Sequence, residues 1–264
     1  MGNSQLRISR NTPARRPTSN ESFVTAQETS VRLLDGLPIE FDRPIAIVGG
    51  GSVDAATLRA LAARGVEMVG ADGGGDVIGA AGLVPAAIIG DLDSLADPAH
   101  WEARTRVVHV PEQATIDFEK AVYCTRAPVT IALGMTGKRF DHTMAGLHVV
   151  TRYARDRSII LVDENDIAVG ISGSFRFSAQ TGERISMHPL QRVRFARTEG
   201  LVYALNGLVL ESGVLTGVSN TATGETVIIE PGPGEDGIWL LILGRERLWD
   251  LVETLSAQGP GMPA

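Results

Sequence analysis

The sequence predicts an α/β protein, with an N-terminal, mostly parallel sheet flanked by helices and a smaller C-terminal antiparallel β-sandwich domain. Two observations lead to this prediction. From Ile45 to about residue 168, short apolar runs alternate with segments of helical periodicity, an order typical of a parallel sheet that is covered on both faces. Beyond that point the runs are short, are broken by Gly, Pro, Asn and Ser, and lack helical periodicity until the last segment, which favours antiparallel strands.

The first half contains six apolar runs that predict strands. In order along the chain they are IAIV, VEMVGA, PAAIIG, RVVHV, VTIALG and RSIILV. Helices are predicted between them at DAATLRALAA, DVIGAAGL, DFEKAVYC and DHTMAGLHVVTRYAR. The first of these helices is followed by Gly65, a typical helix stop signal. This alternation predicts that the carboxyl ends of the strands form one edge of the sheet.

The second half contains short runs of strand character and one closing helix. The predicted strands lie in GSFRFSA, ERISMHPL, RVRFART, LVYALNGLVLESG, LTGVSN, TVIIEP and GIWLLILG, and the helix lies in RERLWDLVETLSAQ. Residues 1–40 are polar and contain prolines and clustered arginines, as in flexible segments. We therefore expect a flexible extension over 1–40, an α/β catalytic domain over 41–168 and a β-sandwich domain over 169–264.

Composition excludes several classes of protein. The chain of 264 residues carries a formal net charge of −7, whereas a dedicated nucleic-acid-binding protein normally shows a basic stripe. The single cysteine, Cys124, is expected to be a buried structural thiol and fits a reducing compartment. No apolar run has the length of a transmembrane helix, and the N-terminus lacks the apolar core of a signal peptide. We therefore expect a cytoplasmic protein that binds neither membranes nor nucleic acid.

Four aspartates follow the predicted strands at the same edge of the sheet. Asp91 and Asp93 come directly after AAIIG, Asp72 follows the second strand, and Asp117 lies beyond the fourth. Alternation along a strand would direct Asp91 and Asp93 to the same side. At about 4 Å such a pair repels by roughly 4 kcal/mol at an effective dielectric near 20, so it either raises a pKa or holds a cation. Oxygen ligands suit Mg²⁺; the alternative is that each aspartate caps a turn or a helix.

Glycines at the same edge favour an anionic ligand, because they allow phosphates to approach backbone N–H groups and helix N-termini closely. These glycines are Gly49, Gly50, Gly51, Gly73 and Gly74. The loop after the fifth strand adds GMTGKRFDHT. Lys120 and Arg139 are placed to neutralise phosphoryl oxygens, and the only lysines of the chain, Lys120 and Lys138, both lie within these motifs. Together these features predict an enzyme that uses Mg²⁺ and a nucleotide.

Four motifs carry a resemblance to a known family. ADGGG, GDLDSL, TIDFEKA and TGKRFDHT resemble the catalytic motifs of thiamine pyrophosphokinases, whose patterns run roughly ADGGAN, GDFDS, TDFEKAL and GGRxDH. ISMHPL, TEGLVYAL and GVSN resemble motifs of the family's C-terminal β-domain. The resemblance therefore covers about residues 45–243.

The resemblance implies an enzyme that transfers the pyrophosphoryl group of ATP to the hydroxyl of thiamine, giving thiamine diphosphate and AMP. It implies a homodimer that binds thiamine at the subunit interface, with Mg²⁺ as cofactor. The implied metal and catalytic residues are Asp72, Asp91, Asp93, Asp117 and Arg139. The implied nucleotide-binding residues are Gly49, Gly50, Gly51, Asp72, Gly73, Gly74, Lys120, Thr136, Gly137, Asp141 and His142. The implied thiamine-binding residues are Gln113, Tyr203, Ser219 and Asn220.

Some positions depart from the family patterns without removing a proposed metal ligand. They are Asp76, Leu92, Ile116, Thr221 and Ala222. The last two follow GVSN and bear on substrate choice, so a pyrophosphokinase of the same fold that acts on a pterin alcohol is one alternative. A nucleotide-sensing regulator without turnover is another. The GLVYAL and GVSN motifs favour thiamine, and the presence of all four aspartates favours an enzyme.

Overall fold

The computed structural model describes residues 36–259. The N-terminal half contributes strands and helices in alternation. The strands are β1 (Ile39–Glu40), β2 (Ile45–Val48), β3 (Glu67–Ala71), β4 (Ala87–Gly90), β5 (Arg106–His109), β6 (Thr125–Arg126), β7 (Thr130–Leu133) and β8 (Ile159–Val162). The helices are α1 (Ala55–Ala63), α2 (Gly74–Ala80), α3 (Pro98–Glu102), α4 (Asp117–Cys124) and α5 (Phe140–Tyr153).

The C-terminal half is formed by strands and one closing helix. The strands are β9 (Asp166–Ile171), β10 (Phe175–Ser178), β11 (Arg184–Pro189), β12 (Val193–Glu199), β13 (Val209–Leu210), β14 (Gly217–Thr221), β15 (Thr226–Pro231) and β16 (Trp239–Gly244). A 3₁₀ turn (Arg245–Arg247) leads into α6 (Leu248–Gln258).

A ten-stranded sheet runs through the molecule in the order β14-β11-β16-β9-β8-β7-β2-β3-β4-β5. The six strands from β8 to β5 are parallel, and the pairs from β8–β9 onward are antiparallel. From β2 the chain moves outward to β3, β4 and β5, and it then returns to β7 on the other side of β2. The strand order therefore reverses between β2 and β7, which is where open α/β sheets bind ligands.

Strand β2, in the middle of the parallel region, is apolar throughout because both of its faces are covered. Within β2, Ile45 and Ile47 pack in the core that contains Phe118 of α4, whereas Ala46 and Val48 pack in the core on the opposite face. Successive side chains of a strand point to opposite faces, so a four-residue apolar run serves two cores. Cys124 is buried, as predicted, and its burial raises the pKa of the thiol to about 12.

The small antiparallel sheet, β10-β15-β12-β13, packs on the C-terminal part of the large sheet. Phe195 of β12 meets Trp239 of β16 edge to face, with ring centroids 5.7 Å apart. Such ring pairs contribute about 0.5–1.5 kcal/mol beyond the area they bury. The predicted α/β class, with a large mostly parallel sheet and a smaller antiparallel part, is confirmed.

The proposed domain boundaries stay predictions. Position 168 lies within β9, which joins the parallel strands to the antiparallel ones. Residues 1–35 of the predicted extension lie outside the described residues, while Ile39 and Glu40 pair with Thr125 and Arg126 of β6. No helix within residues 36–259 is both long enough and apolar enough to cross a membrane.

Candidate metal and nucleotide site

Three aspartates meet at the carboxyl edge of the parallel strands. Asp72 follows β3, Asp91 follows β4, and Asp117 begins α4. One carboxylate oxygen from each residue lies within 4.8 Å of the other two. Asp72 is buried, and the other two are half-buried. The predicted convergence of carboxylates at this edge is present for these three residues, which we call the aspartate cluster.

The backbone around Asp91 differs from the strand-alternation prediction. Strand β4 ends at Gly90, and Leu92 adopts a left-handed conformation with φ of 65°. Asp91 and Asp93 therefore do not lie on one extended strand. Asp91 instead accepts a hydrogen bond from the Asp93 backbone N–H (3.3 Å), and the exposed Asp93 carboxylate accepts one from Ser94 Oγ (2.9 Å). The partners of Asp91 are thus Asp72 and Asp117, and a metal-binding role for Asp93 stays a prediction.

Asp72 has one satisfied and one unsatisfied carboxylate oxygen. Oδ2 accepts a hydrogen bond from the Ser94 backbone N–H (3.1 Å), while the buried Oδ1 has no hydrogen-bond partner among residues 36–259. Burial, followed by the nearby charge of Asp117, raises the pKa of Asp72 above its ordinary value. A buried polar atom without a partner is rare and costly, so a cation at Oδ1 would satisfy this atom.

Lys120 is the cation that the chain itself places in the aspartate cluster. The side chain is 1% exposed, and its Nζ lies 2.9 Å from Asp117 Oδ1 and 3.4 Å from Asp91 Oδ2. Burial alone lowers the pKa of Lys120, but the hydrogen bonds and charges of the two carboxylates outweigh it, so the pKa is raised. With the three aspartates ionised, the cluster retains a surplus of two negative charges.

Gln113 reaches the aspartate cluster from the loop after β5. Its Nε2 donates to Asp91 Oδ2 at 2.8 Å. Burial alone raises the pKa of Asp91, but the hydrogen bonds from Gln113 and the backbone, together with Lys120, outweigh it and lower that pKa. Asp91 is therefore ionised at neutral pH.

Glu112 holds the loop that carries Gln113. Its carboxylate accepts hydrogen bonds from the backbone N–H groups of Ala114 (2.7 Å) and Thr115 (3.1 Å), from the Thr115 hydroxyl, and from the hydroxyl of Tyr123 in α4 (3.0 Å). The loop is thereby tied to the helix that begins with Asp117. Sequence reasoning missed Glu112, although an acidic residue just before a short loop of small residues is a typical turn signal.

The aspartate cluster fits a hard divalent cation such as Mg²⁺. It offers only carboxylate oxygens, it carries a surplus of negative charge, and one buried oxygen lacks a hydrogen-bond partner. Mg²⁺ is typically held by one or two carboxylates together with the phosphates of a substrate. The donor set, the charge and the orphaned oxygen all favour that cation.

A cavity of about 740 Å³ lies at the same carboxyl edge of the sheet, at the reversal of strand order between β2 and β7, and none of the three aspartates lines it. The loops after these two strands form part of its wall and contain Gly51, Gly134, Thr136, Gly137 and Lys138. The two loops approach so closely that a β-carbon on Gly51 would lie 2.1 Å from the Gly134 carbonyl oxygen. A side chain cannot fit there, which explains this glycine without any ligand. Gly50 has open space around it.

The remaining predicted nucleotide-binding side chains lie between β7 and the first turn of α5. Thr136 donates to Asp163 Oδ1 at 2.6 Å, which connects this loop to the end of β8. Arg139 and Asp141 form an exposed ion pair at 2.6 Å, and Asp141 also accepts from the backbone N–H of His142 at 3.0 Å. Gly73 and Gly74 lie after Asp72, at the start of α2.

The predicted thiamine-binding residues of the C-terminal half lie together. Asn220 is buried, and its side chain accepts from the Tyr203 N–H (3.0 Å) and donates to the Tyr203 carbonyl (2.7 Å). Asn220 therefore fixes the backbone beneath Tyr203, whose own side chain is 67% exposed. Ser219 is exposed and has a left-handed backbone, with φ of 57°.

Two further residues of the cavity wall were not predicted from the sequence. Asp163 directly follows β8, so the rule that identified Asp72 and Asp91 also applies to it. Arg245 reaches the cavity from the C-terminal half and donates to Thr57 Oγ1 at 2.6 Å, across 188 positions of sequence. No local pattern could reveal that contact.

Asp76, which departs from the family pattern, has a structural role. Its carboxylate accepts hydrogen bonds from the Ala96 N–H and from Trp101 Nε1, both at 2.8 Å. It therefore ties the loop after β4 to α2, and this substitution leaves the aspartate cluster intact.

Comparisons with known proteins agree with this geometry. A family model described as thiamin pyrophosphokinase, catalytic domain, matches residues 59–162. Thiamin pyrophosphokinase 1 of Caenorhabditis elegans is 27% identical over 161 residues, which is 55% of this chain and 66% of that protein. The structure of thiamin pyrophosphokinase from Geobacillus thermodenitrificans is similar with a TM-score of 0.63 at 25% identity, covering 76% of this chain and 97% of the other.

More distant structures share the fold. Thiamin pyrophosphokinase from Candida albicans gives a TM-score of 0.65 at 17% identity, covering 77% of this chain and 89% of that one. The yeast enzyme gives 0.65 at 15% identity, covering 83% and 90%. The family model and these relatives lead to one conclusion: residues 59–162 are similar to the catalytic domain of thiamin pyrophosphokinases, and the chain shares the fold of those enzymes.

Proposed function

We propose that the protein transfers the pyrophosphoryl group of ATP to the hydroxyl of thiamine, giving thiamine diphosphate and AMP. The observation that supports this most is the aspartate cluster with its buried Lys120, which shares the carboxyl edge of the parallel strands with a cavity of about 740 Å³. The similarity to thiamin pyrophosphokinases supports the same reaction, since the names of these relatives describe pyrophosphokinases that act on thiamin.

In the proposed reaction the thiamine oxygen forms a bond to the β-phosphorus of ATP. The bond from that phosphorus to the oxygen shared with the α-phosphate breaks, AMP leaves, and the hydroxyl proton is lost. Little covalent chemistry is required of the protein, because such transfers depend on positioning and on neutralisation of charge.

Asp72, Asp91 and Asp117 would hold Mg²⁺, which when bound neutralises charge on the polyphosphate. Lys120 keeps Asp91 and Asp117 at a fixed separation, since it contacts both carboxylates. Asp93 is proposed as a further metal ligand, and Arg139 as a cation for phosphoryl oxygens. The glycines after β2 and β3, with Thr136 and Gly137, are proposed to line the path of the nucleotide.

Thiamine recognition is proposed to involve Gln113 together with Tyr203, Ser219 and Asn220. Asn220 acts through the backbone of Tyr203, because its amide is bound there. The hydrogen bonds that the structure shows for Tyr203, Ser219 and Asn220 join residues of the C-terminal half to one another. We therefore propose that they face the aspartate cluster of a second copy of the chain.

Exposed apolar side chains between positions 202 and 218 support a homodimer. They are Val202, Tyr203, Leu208, Val214, Leu215 and Val218. Large exposed apolar patches commonly mark interaction sites. Sedimentation equilibrium of the full chain should give twice the monomer mass, and a monomer at micromolar concentration would contradict the dimer.

The reaction is tested by incubating the full chain with ATP, Mg²⁺ and thiamine and separating the products by chromatography. AMP and thiamine diphosphate are expected in equal amounts, and label in the β-phosphate of ATP should appear in thiamine diphosphate. Formation of ADP would instead indicate attack on the γ-phosphorus. A pterin alcohol replaces thiamine in a parallel reaction, and turnover of that substrate alone would contradict the proposal. Binding of ATP without turnover of either alcohol would favour a sensor.

A further inference from the structure

A second cavity, of about 340 Å³, lies in the C-terminal half of the chain, between the turn before β11 and the 3₁₀ turn after β16. It shares no lining residue with the cavity of about 740 Å³. The 3₁₀ turn is divided between the two cavities, because Arg245 lines the larger one whereas Glu246 and Arg247 line this one. None of the residues implied for the metal, the nucleotide or thiamine lines the second cavity, so it is a separate candidate site.

Glu183 brings to this cavity a buried carboxylate oxygen that has no partner. Its side chain is 9% exposed, and Oε2 accepts hydrogen bonds from the Gln180 N–H (2.8 Å) and from Arg247 Nη1. Oε1 is buried and has no hydrogen-bond partner among residues 36–259. A buried acceptor that stays unpaired is costly, so a ligand with an N–H donor would be stabilised by reaching Oε1.

Arg247 fixes the Glu183 carboxylate but leaves Oε1 without a donor. Each nitrogen of this buried arginine is already engaged. Nη1 contacts Glu183 Oε2, Nε donates to Asp250 Oδ2 at 2.8 Å, and Nη2 donates to the Ser178 carbonyl at 2.8 Å. The orientation of the Glu183 carboxylate is therefore set by the protein before any ligand binds.

Glu246 adds a second carboxylate, which forms no ion pair with residues 36–259. It is exposed, and its carboxylate lies over Gly244, where a β-carbon would collide with it. Arg184, the other cation of the cavity wall, is paired with Asp166. The wall and its ion-pair partners thus comprise four carboxylates and two guanidinium groups, a surplus of two negative charges.

The lining of the cavity suits a hydrophilic organic cation. It contains no large apolar residue, whereas most small-molecule sites are lined mainly by apolar side chains. Its volume lies near the lower end of the range for such sites, roughly 300–1,000 Å³. Ammonium and guanidinium groups combine a positive charge with several N–H donors. Three converging carboxylates, which suit a metal ion, occur within residues 36–259 only at the aspartate cluster.

We propose that this cavity binds a small organic dication, an aliphatic diamine or guanidino-amine, that donates hydrogen bonds to Glu183 Oε1 and to the Glu246 carboxylate. The charge of such a ligand matches the surplus of two negative charges. The exposed side chains of Gln180 and Thr181 offer further oxygen acceptors at the rim for its second nitrogen. The proposal does not depend on the thiamine reaction.

The proposal is tested by direct binding to the full chain. Titration calorimetry at low, constant ionic strength uses putrescine and agmatine as probes and butanediol as the uncharged control. We expect one saturable site per chain for each cation and none for butanediol. Glu246→Gln should weaken putrescine binding roughly 3- to 10-fold, since its carboxylate is exposed. Glu253→Gln, which removes an exposed charge from α6, is the matched control and should bind like wild type.

Two further variants test the geometry of the cavity. Gly244 has an ordinary backbone φ of −62°, so Gly244→Ala is tolerated by the chain, but its β-carbon should displace the Glu246 carboxylate. This variant should weaken putrescine binding without any loss of charge. Glu183→Gln should weaken it roughly 10- to 100-fold, because the contact is buried. Circular dichroism checks the fold of Glu183→Gln, which also loses charge beside Arg247, and the other two variants decide the outcome if it does not fold.

Several results would overturn the proposal. Absence of saturable binding of both cations up to millimolar concentration would exclude the site. Equal putrescine affinity in wild type, Glu246→Gln and Gly244→Ala would place the binding elsewhere on the chain. Displacement of putrescine by Mg²⁺ at equal concentration would assign the cavity to a metal ion, and binding of butanediol as tight as that of putrescine would show that charge is not recognised.

Discussion

Gly90 lies against Asp72, so closely that a β-carbon on Gly90 would be 2.8 Å from Asp72 Cβ. The same β-carbon would be 3.1 Å from Asp117 Oδ1. The last residue of β4 therefore leaves the space into which carboxylates from β3 and α4 converge. The glycine of the GDLDSL motif is explained by this contact, because any side chain would push two members of the aspartate cluster apart.

Gly90→Ala is expected to damage the site more than the fold. Overpacking at a rigid position costs about 1–3 kcal/mol, and the displaced carboxylates should bind Mg²⁺ more weakly and lower the rate of turnover. Chemical denaturation measures the first effect, and initial rates over a range of Mg²⁺ concentration measure the second. Gly224→Ala is the matched control, since a β-carbon there meets no atom within 4 Å. An active Gly90→Ala protein with wild-type Mg²⁺ dependence would contradict the role given to this contact.

Asp72→Asn is expected to weaken Mg²⁺ binding without lowering the stability of the metal-free protein. Burial and the charge of Asp117 raise the pKa of Asp72, so the ionised carboxylate at neutral pH opposes folding of the metal-free protein. The variant should therefore melt at the same or a higher temperature than wild type without Mg²⁺. Wild type should gain stability as Mg²⁺ is added, whereas Asp72→Asn should gain much less. Asp156→Asn, an exposed aspartate beyond α5, should behave like wild type. An equal Mg²⁺-dependent shift in Asp72→Asn would exclude Asp72 as a ligand.

Asp91→Asn and Asp93→Asn test the two acids of the GDLDSL motif separately. We expect each to lower turnover by roughly 10²- to 10³-fold, the usual effect of removing one charge-stabilising group, with circular dichroism unchanged. Asp91 contacts Lys120 and Gln113, whereas Asp93 is exposed beside Ser94. Near-wild-type activity of Asp93→Asn at ordinary Mg²⁺ would restrict the metal site to Asp72, Asp91 and Asp117.

Glu112→Gln is expected to make stability less dependent on pH. Burial alone raises the pKa of Glu112, but hydrogen bonds from Thr115, the Ala114 N–H and Tyr123 lower it below its ordinary value of 4.5. A carboxyl group whose pKa is lower in the folded state than in the unfolded state stabilises the protein at pH values above its unfolded-state pKa. This contribution is lost as the pH falls through the folded-state pKa.

Wild type should therefore exceed Glu112→Gln in unfolding free energy by about 1–2 kcal/mol at pH 7, and the difference should shrink as pH falls below about 4.5. Urea denaturation at several pH values measures this difference in unfolding free energy. Because Glu112 holds the loop of Gln113, the variant should also raise the KM for thiamine. The control is Glu102→Gln in α3, an exposed glutamate. A difference between wild type and variant that persists unchanged at pH 3 would contradict the assigned role of the charge.

The sequence predicts local structure well where the residues of a single segment determine it. The run IAIV forms β2 because both of its faces are apolar. Loops at the carboxyl ends of parallel strands share one edge of the sheet, and this rule correctly predicts that Asp72 lies near Asp91. The left-handed conformation of Leu92 was not predictable, since non-glycine residues seldom adopt it and no local sequence signal marks it. Strand order and the contact from Arg245 to Thr57 depend on tertiary packing, and no local pattern encodes them.

Subunit mixing tests whether two chains build one thiamine pocket. Thiamine carries a cationic thiazolium, so Ser219→Arg should place a like charge beside it and weaken binding, while Asp91→Asn should remove the metal site. If the pocket combines the aspartate cluster of one subunit with Ser219 and Tyr203 of the other, a heterodimer of the two variants contains one doubly altered site and one intact site. Random exchange of equal amounts makes half of the dimers heterodimers, so about a quarter of wild-type sites should return, as expected for an isologous dimer.

Activity of each variant alone is the baseline, and differently tagged subunits verify exchange. If exchange is complete and no activity returns, the pocket is built within one chain and the proposed interface is wrong.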